Sequence, residues 1–187
     1  MVTRQSAGIL LYRQNPTPTD ASRDPTLHDP TSPDPTTTDA SRNPTTATLT
    51  EVFLVHPGGP FWKNKNAGIW TIPKGEFLSD EPALDAAIRE FREETGVQLK
   101  GYFKPLSPIR QKGGKRVYAW ALAGDLDPSR LVSNTFDLEW PRGSGRMKTF
   151  PEVDRGAWYT LDAARAIINP AQIAFLDELA EIIKTGA

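Results

Sequence analysis

The chain has 187 residues, 38% of them hydrophobic, which is the length of one domain with enough apolar material for one core. Its formal net charge of −1 gives no electrostatic footprint for duplex nucleic acid. There is no cysteine, which excludes thiolate zinc sites, disulfides and thiol nucleophiles, and with only His28 and His56 a histidine-built metal centre or a Ser–His–Asp triad has little support.

The first clear strand is Ser6 to Tyr12, whose apolar part is too short for a signal-peptide core. No later run approaches the length of a membrane helix, so the expectation is a cytoplasmic protein without a membrane partner. Residues 15–48 then change character, being dense in Pro, Thr, Asp and Ser with almost no apolar side chains. NPTPTDASRDPT from Asn15 and DPTTTDASRNPT from Asp34 repeat with a period of 19 and three substitutions. A solenoid needs an apolar ladder, which this repeat lacks, so the segment is expected to be a disordered insertion in a single domain spanning 1–187. Glu51 to His56 is the second strand, and lengthening the loop between two neighbouring strands costs little closure entropy.

Trp70-Thr-Ile-Pro-Lys-Gly-Glu76 leads into the most informative stretch, GEFLSDEPALDAAIREFREETGV from Gly75 to Val97. Pro82 suits the first turn of a helix, Asp80 or Glu81 its N-terminal end, and Gly96 the left-handed residue that closes it. Leu84, Ala87, Ile88, Phe91 and Thr95 recur at three- and four-residue steps and predict a core-facing stripe. Glu90, Glu93 and Glu94 fall within one angular sector of the same helix. Like charges at that spacing repel, and a hard divalent cation offsets them: Mg²⁺ keeps several waters and is completed by one or two carboxylates and substrate phosphates. The pattern predicts an Mg²⁺ or Mn²⁺ platform for phosphate chemistry, against the plainer alternative of a solvated face with Asp85–Arg89 and Arg89–Glu93 ion pairs.

Further along, Leu106–Arg110 and Val117–Leu122 predict a hairpin around Gln111-Lys-Gly-Gly-Lys115, its tip carrying Arg110, Lys112, Lys115 and Arg116. These cations suit a polyanionic substrate or merely a soluble tip. Trp62, Trp70, Tyr118 and Trp120 could stack on a base, although core packing is the better expectation for each. Residues 133–151 are expected to be a loop, Ala157–Thr160 a strand, and Leu161–Ile168 and Pro170–Lys184 helices, the last presenting Ile173, Leu176, Leu179, Ala180 and Ile183 on one face. Strands interleaved with helices predict an α+β fold, an α/β/α sandwich around a mixed sheet.

Gly75, Glu81, Arg89, Glu90, Glu93, Glu94 and Gly96 lie on the spacing G-x5-E-x7-R-E-φ-x-E-E-x-G-φ, φ being apolar, which has a chance probability of about one in a million in a chain of this length. This pattern resembles the signature of the Nudix hydrolases, and the resemblance covers Thr3–Gln14 and Val52–Lys184. It implies cation-dependent hydrolysis of a pyrophosphate linkage in a nucleoside diphosphate joined to another group. Glu90, Glu93 and Glu94 match the metal-binding carboxylates, Arg89 the residue that orients them, and Gly75, Glu81 and Gly96 supporting positions. Phe91 departs from the usual aliphatic residue but keeps the apolar contact. Glu93 is the first candidate for the base, with Glu139 and Glu152 as alternatives from a later loop. The Pro-Lys-Gly lead-in resembles that of Nudix enzymes cleaving dinucleoside polyphosphates such as diadenosine tetraphosphate, with Lys74 on a substrate phosphate and Glu76 either in the metal shell or solvated. Nucleoside triphosphates, nucleotide sugars, ADP-ribose or a non-catalytic nucleotide sensor are the alternatives, because the motif supplies chemistry while other loops choose the substrate.

Overall fold

Strand β1 (Gln5–Pro16) carries Ala7, Ile9, Leu10 and Leu11 without any solvent exposure, and a continuous apolar run of this kind is what a strand covered on both faces requires. In the computed structural model, which describes residues 4–16 and 48–186, that strand lies at the middle of the main sheet. The remaining elements are β2 (Thr48–Pro57), β3 (Lys74–Glu76), α1 (Ala83–Thr95), β4 (Lys104–Arg110), β5 (Arg116–Ala123), β6 (Thr135–Glu139), β7 (Met147–Pro151), β8 (Val153–Thr160), α2 (Leu161–Ile167) and α3 (Ile173–Thr185). The sheet order is β4-β5-β1-β2-β8 with β3 also paired to β1; among the described strands β1 and β5 run parallel and the other pairs antiparallel, so the sheet is mixed as expected.

Alternation along β1 and β2 feeds two cores. Ala7, Ile9, Leu11, Phe53 and Val55 meet Ala86, Ala87 and Phe91 of α1 on one face. Leu10, Val52 and Leu54 meet Ala164 of α2 and Phe175, Leu176 and Leu179 of α3 on the other. The result is the α/β/α sandwich that the pattern predicted. Among the described residues no helix is long and apolar enough to cross a membrane.

Several boundaries differ from expectation. Asn15, Pro16 and Thr48 belong to strands rather than to the insertion, because Asn15 pairs with Leu49 and Pro16 with Thr48 in the β1–β2 ladder. The rest of the expected insertion, 17–47, lies outside the described residues, and so does the disorder expected of it. Residues 133–151 are not a plain loop, for they contain the two-stranded β6–β7 sheet, in which Phe136 sits opposite Phe150. In α1 the buried stripe is Ala86, Ala87, Phe91 and Thr95, with Leu84 and Ile88 half-buried, and α3 buries Phe175, Leu176 and Leu179, with Ile173, Ala180 and Ile183 half-buried.

Candidate active site

Helix α1 begins after Pro82, whose carbonyl accepts from Ala86 N–H at 3.0 Å. It ends at Gly96, where φ is 76° and the N–H returns to Arg92 O, the left-handed closure for which glycine is suited. Between these ends the acidic face turns toward β3. The Glu90 carboxylate occupies the space that a Cβ on Gly75 would need, which is why a glycine stands there. Glu94 Oε2 accepts the Lys74 backbone N–H at 3.0 Å. The glycine-containing lead-in and the helix therefore fit each other through two of the three matched carboxylates.

Arg89 organises the group. Its Nε and Nη2 donate to the two oxygens of Glu81, each at 2.9 Å, in the bidentate geometry a guanidinium favours. Its Nη1 donates to Glu90 Oε1 at 2.7 Å and, more weakly, to Glu93 Oε2 at 3.3 Å. The Arg89–Glu93 pair is thus present, whereas Arg89 turns to Glu81 and Glu90 rather than to Asp85. The Glu81 hydrogen bonds above all, with those from Glu90, hold the Arg89 guanidinium still more firmly protonated than usual.

Burial pushes the Glu94 carboxyl up to about 8, opposed by the Lys74 charge and backbone N–H and reinforced by Glu90 and Glu152. Burial also raises Glu90, against the Arg89 hydrogen bond. The Lys74 ammonium is lowered mainly by burial, with Glu94, Glu90 and Glu76 working the other way. Among the described residues no three His, Cys, Asp or Glu side chains close into a protein-only metal cage. A cation that retains waters and takes phosphate ligands does not need one, and two partly desolvated carboxylates held beside each other are the donor chemistry a hard divalent ion fits.

Two chain segments flank this face. On the β3 side Lys115 reaches back to Glu76 at 2.8 Å, while Arg110 and Lys112 stand exposed at the β4–β5 tip. On the other side the segment leading into β6 is tied to the helix end: Val132 N–H donates to Thr95 O at 3.1 Å and Asn134 N–H to Glu93 O at 2.9 Å. Glu152, just after β7, donates its N–H to Asn134 O at 2.8 Å, and its charge is felt by both Glu90 and Glu94. Glu139 instead accepts the Gly145 N–H within the β6–β7 hairpin at 2.6 Å. Of the two later carboxylates, Glu152 is the one brought to the acidic face. A cleft of about 500 Å³ runs along α1 between Arg89, Arg92, Glu93, Gln98 and Asn134.

His56 is not a free ligand. It is fully buried, its Nδ1 lies 2.8 Å from Asp154 Oδ1 and its Nε2 2.7 Å from Lys65 O, both of which are acceptors. Among the aromatics, Trp70 is buried, Tyr118 and Trp120 are half-buried, and Trp62 is exposed. Sequence reasoning gave no role to Asn134 or to the β6–β7 strands, although the alternation in Thr135-Phe-Asp-Leu-Glu139 was the available signal.

Residues 42–179 match the NUDIX domain. Among solved structures, an Ap4A hydrolase of C. elegans in a binary complex superposes with a TM-score of 0.54 at 18% identity, covering 99% of this chain and 100% of that one. A mutT/nudix family protein of Listeria innocua gives 0.55 at 15% identity, covering 98% and 95%. The NUDIX domain of Shewanella oneidensis NrtR, complexed with ADP ribose, gives 0.56 at 13% identity, covering 98% and 90%. At these identities the likeness is one of fold.

Proposed function

Because the chain belongs to the NUDIX domain family, we propose that it is a divalent-cation-dependent hydrolase of phosphorus anhydrides, with dinucleoside polyphosphates such as diadenosine tetraphosphate as the leading substrate class. The observation that carries this reading is the set of carboxylates on α1, ordered by Arg89 and fitted against Gly75. Glu90, Glu93 and Glu94 would hold Mg²⁺ or Mn²⁺, and the cation when bound supplies charge to phosphate oxygens and acidifies a water. Lys74, Lys115, Arg110 and Lys112, on β3 and the β4–β5 hairpin, would bind substrate phosphates. The organisation that goes with this function is one domain over 1–187 with an insertion between β1 and β2.

In the reaction, water oxygen bonds to phosphorus, the bridging P–O bond breaks with its electrons leaving on the departing phosphate, and the water proton passes to a carboxylate. Glu93 is the first choice for that carboxylate, since among the described residues its only side-chain hydrogen bond is the long one to Arg89. Glu152 stands on the far side of the acidic face as the alternative. Arg89 keeps Glu90 and Glu93 in place while this happens, and Gly75 leaves Glu90 room to lie against the backbone. The NrtR domain seen with ADP ribose favours that nucleotide as a second substrate class.

The test is release of phosphate and nucleotide from diadenosine polyphosphates, nucleoside triphosphates, nucleotide sugars and ADP-ribose, with Mg²⁺, with Mn²⁺ and with chelator. Metal-dependent cleavage of one class that disappears in Glu93→Gln supports the reading. Tight binding without cleavage across the set would replace the hydrolase by a nucleotide sensor.

A further inference from the structure

Phe61 and Trp62, adjacent in sequence, are 53% and 38% exposed, and the Lys65 ammonium stands over one face of the Trp62 ring, 5.1 Å from its centre, which leaves the other face to a ligand. They do not sit on a loose tip. Gly58 N–H donates to Glu152 O at 2.8 Å, and Gly58 and Gly59 fit so closely against Pro151 and Phe136 that a Cβ on either would meet them. Farther along the same segment, His56 holds Lys65 O at 2.7 Å and Arg155 Nη2 donates to Asn66 Oδ1 at 3.0 Å. Phe61 in turn packs edge-on against Trp140 of the β6–β7 hairpin, with ring centres 5.4 Å apart at 86°. Residues 57–66 and the hairpin thus form one braced wall.

That wall is cationic. Lys63, Lys65, Arg142, Arg146 and Lys148 all stand exposed on it, and among the described residues none of them forms a salt bridge. The nearby carboxylates are otherwise engaged, Glu139 by Gly145 N–H and Asp137 by the Thr149 hydroxyl at 2.6 Å. Its root lies at the acidic face, through Asn134 on Glu93 O and through Glu152 beside Glu90 and Glu94. Strands of five residues rise roughly 17 Å from such a root.

We propose that this wall is a second-nucleotide subsite: Phe61 and Trp62 take the base, and Arg142, Arg146 and Lys148 the phosphates, of the half of a dinucleoside polyphosphate that lies beyond the cleaved linkage. The inference rests on the hydrolase reading above and adds the element that selects two-base substrates. An aromatic face accepts any base by stacking, and unpaired cations complement the polyphosphate chain, so the same surface explains both parts of the ligand.

The experiment compares kcat/KM for diadenosine tetraphosphate with that for adenosine 5′-tetraphosphate, which has the same number of phosphates and one base, on the full chain. Trp62→Ala is expected to lower the two-base to one-base ratio by about 5- to 150-fold, mostly through KM, as loss of one stacking platform does, and Trp62→Phe to restore most of it. Arg142→Ala with Arg146→Ala should flatten the salt dependence of KM for the two-base substrate. Equal losses on both substrates, or no loss on either, overturn the subsite. Calorimetric binding of both ligands to Glu93→Gln separates this result from failure of the hydrolase reading. A two-base preference in binding that Trp62→Ala removes supports the subsite even if the wild-type chain cleaves nothing, and equal or absent binding of the two ligands overturns it.

Discussion

Arg89 donates to three carboxylates at once, so a cation from its own helix arranges the acidic face before any other charge arrives. Lysine at this position would keep the charge and lose the planar fork that spans Glu81, Glu90 and Glu93. Arg89→Lys is therefore expected to lower kcat/KM about 10- to 100-fold, the usual cost of disturbing groups that orient metal ligands, with the far-UV circular dichroism unchanged. Glu93→Gln removes the first-choice base and should reduce kcat by about 10²- to 10⁴-fold in the nucleotide-release assay. Glu94 allows a prediction about pH. Its folded-state pKa of about 8 lies above the ordinary carboxylate value, so the native state holds this proton more tightly than the unfolded chain does. That contribution is complete below the unfolded pKa and is lost as pH rises through about 8. In chelator, urea-unfolding free energy should fall between pH 5 and pH 8 in the wild type and vary less in Glu94→Gln. The spacing of these glutamates was legible because a helix period is a local property of the chain. The bidentate grip of Glu81 on Arg89 and the closeness of Glu152 were not, since both depend on how the flanking segments return to the helix.

At the scale of elements, β3 and the strap before it are positioned by a side chain far away in sequence. Gln172 is fully buried; its Oε1 accepts Ile72 N–H at 3.0 Å and its Nε2 donates to Thr71 Oγ1 at 2.8 Å. Gln172→Ala leaves a buried backbone donor unpaired and is expected to cost about 1–3 kcal/mol in urea unfolding, with some loss of activity because the strap delivers Lys74 and Gly75. Helix α1 was predictable from its apolar stripe and its closing Gly96. Strand β3 has three residues, too few for any periodic signal, and β6–β7 is defined by cross-strand matches such as Phe136 with Phe150 around a tip containing Pro141, Gly143 and Gly145. The turn residues of that tip concealed the strands beside them. His56 likewise gave no hint of its role, because its partner Asp154 is supplied by β8.

For the whole molecule, the match to the family begins at residue 42, yet β1 lies before it and at the centre of the sheet, paired with β2, β3 and β5. A chain starting at residue 42 should therefore show no cooperative melting transition, although it keeps the matched region intact. Removing 17–47 and joining the strands with a short Gly-Asn turn should instead preserve both the transition and metal-dependent hydrolysis, because Pro16 and Thr48 are already paired. Mg²⁺ or Mn²⁺ should raise Tm in that shortened chain as in the full one, since binding to the native state alone stabilises it by mass action. The mixed sheet and its two helical layers were legible in the order of strands and helices, and the apolar run of β1 signals cover on both faces; its pairing with β3 and β5 was not visible in that local pattern.

The pairing of Pro16 with Thr48 also has a mechanical consequence. Residues 17–47 join the domain at the two partners of the terminal rung of one antiparallel ladder, so tension that draws those partners apart loads the rungs singly, from the tip inward. Such a ladder peels at low force, whereas tension along β1 must shear its pairings with β2 and β5 together. A load carried by the insertion would open the free end of β1–β2 first, past Asn15 and Leu49, long before it disturbed Gly75 or the carboxylates of α1.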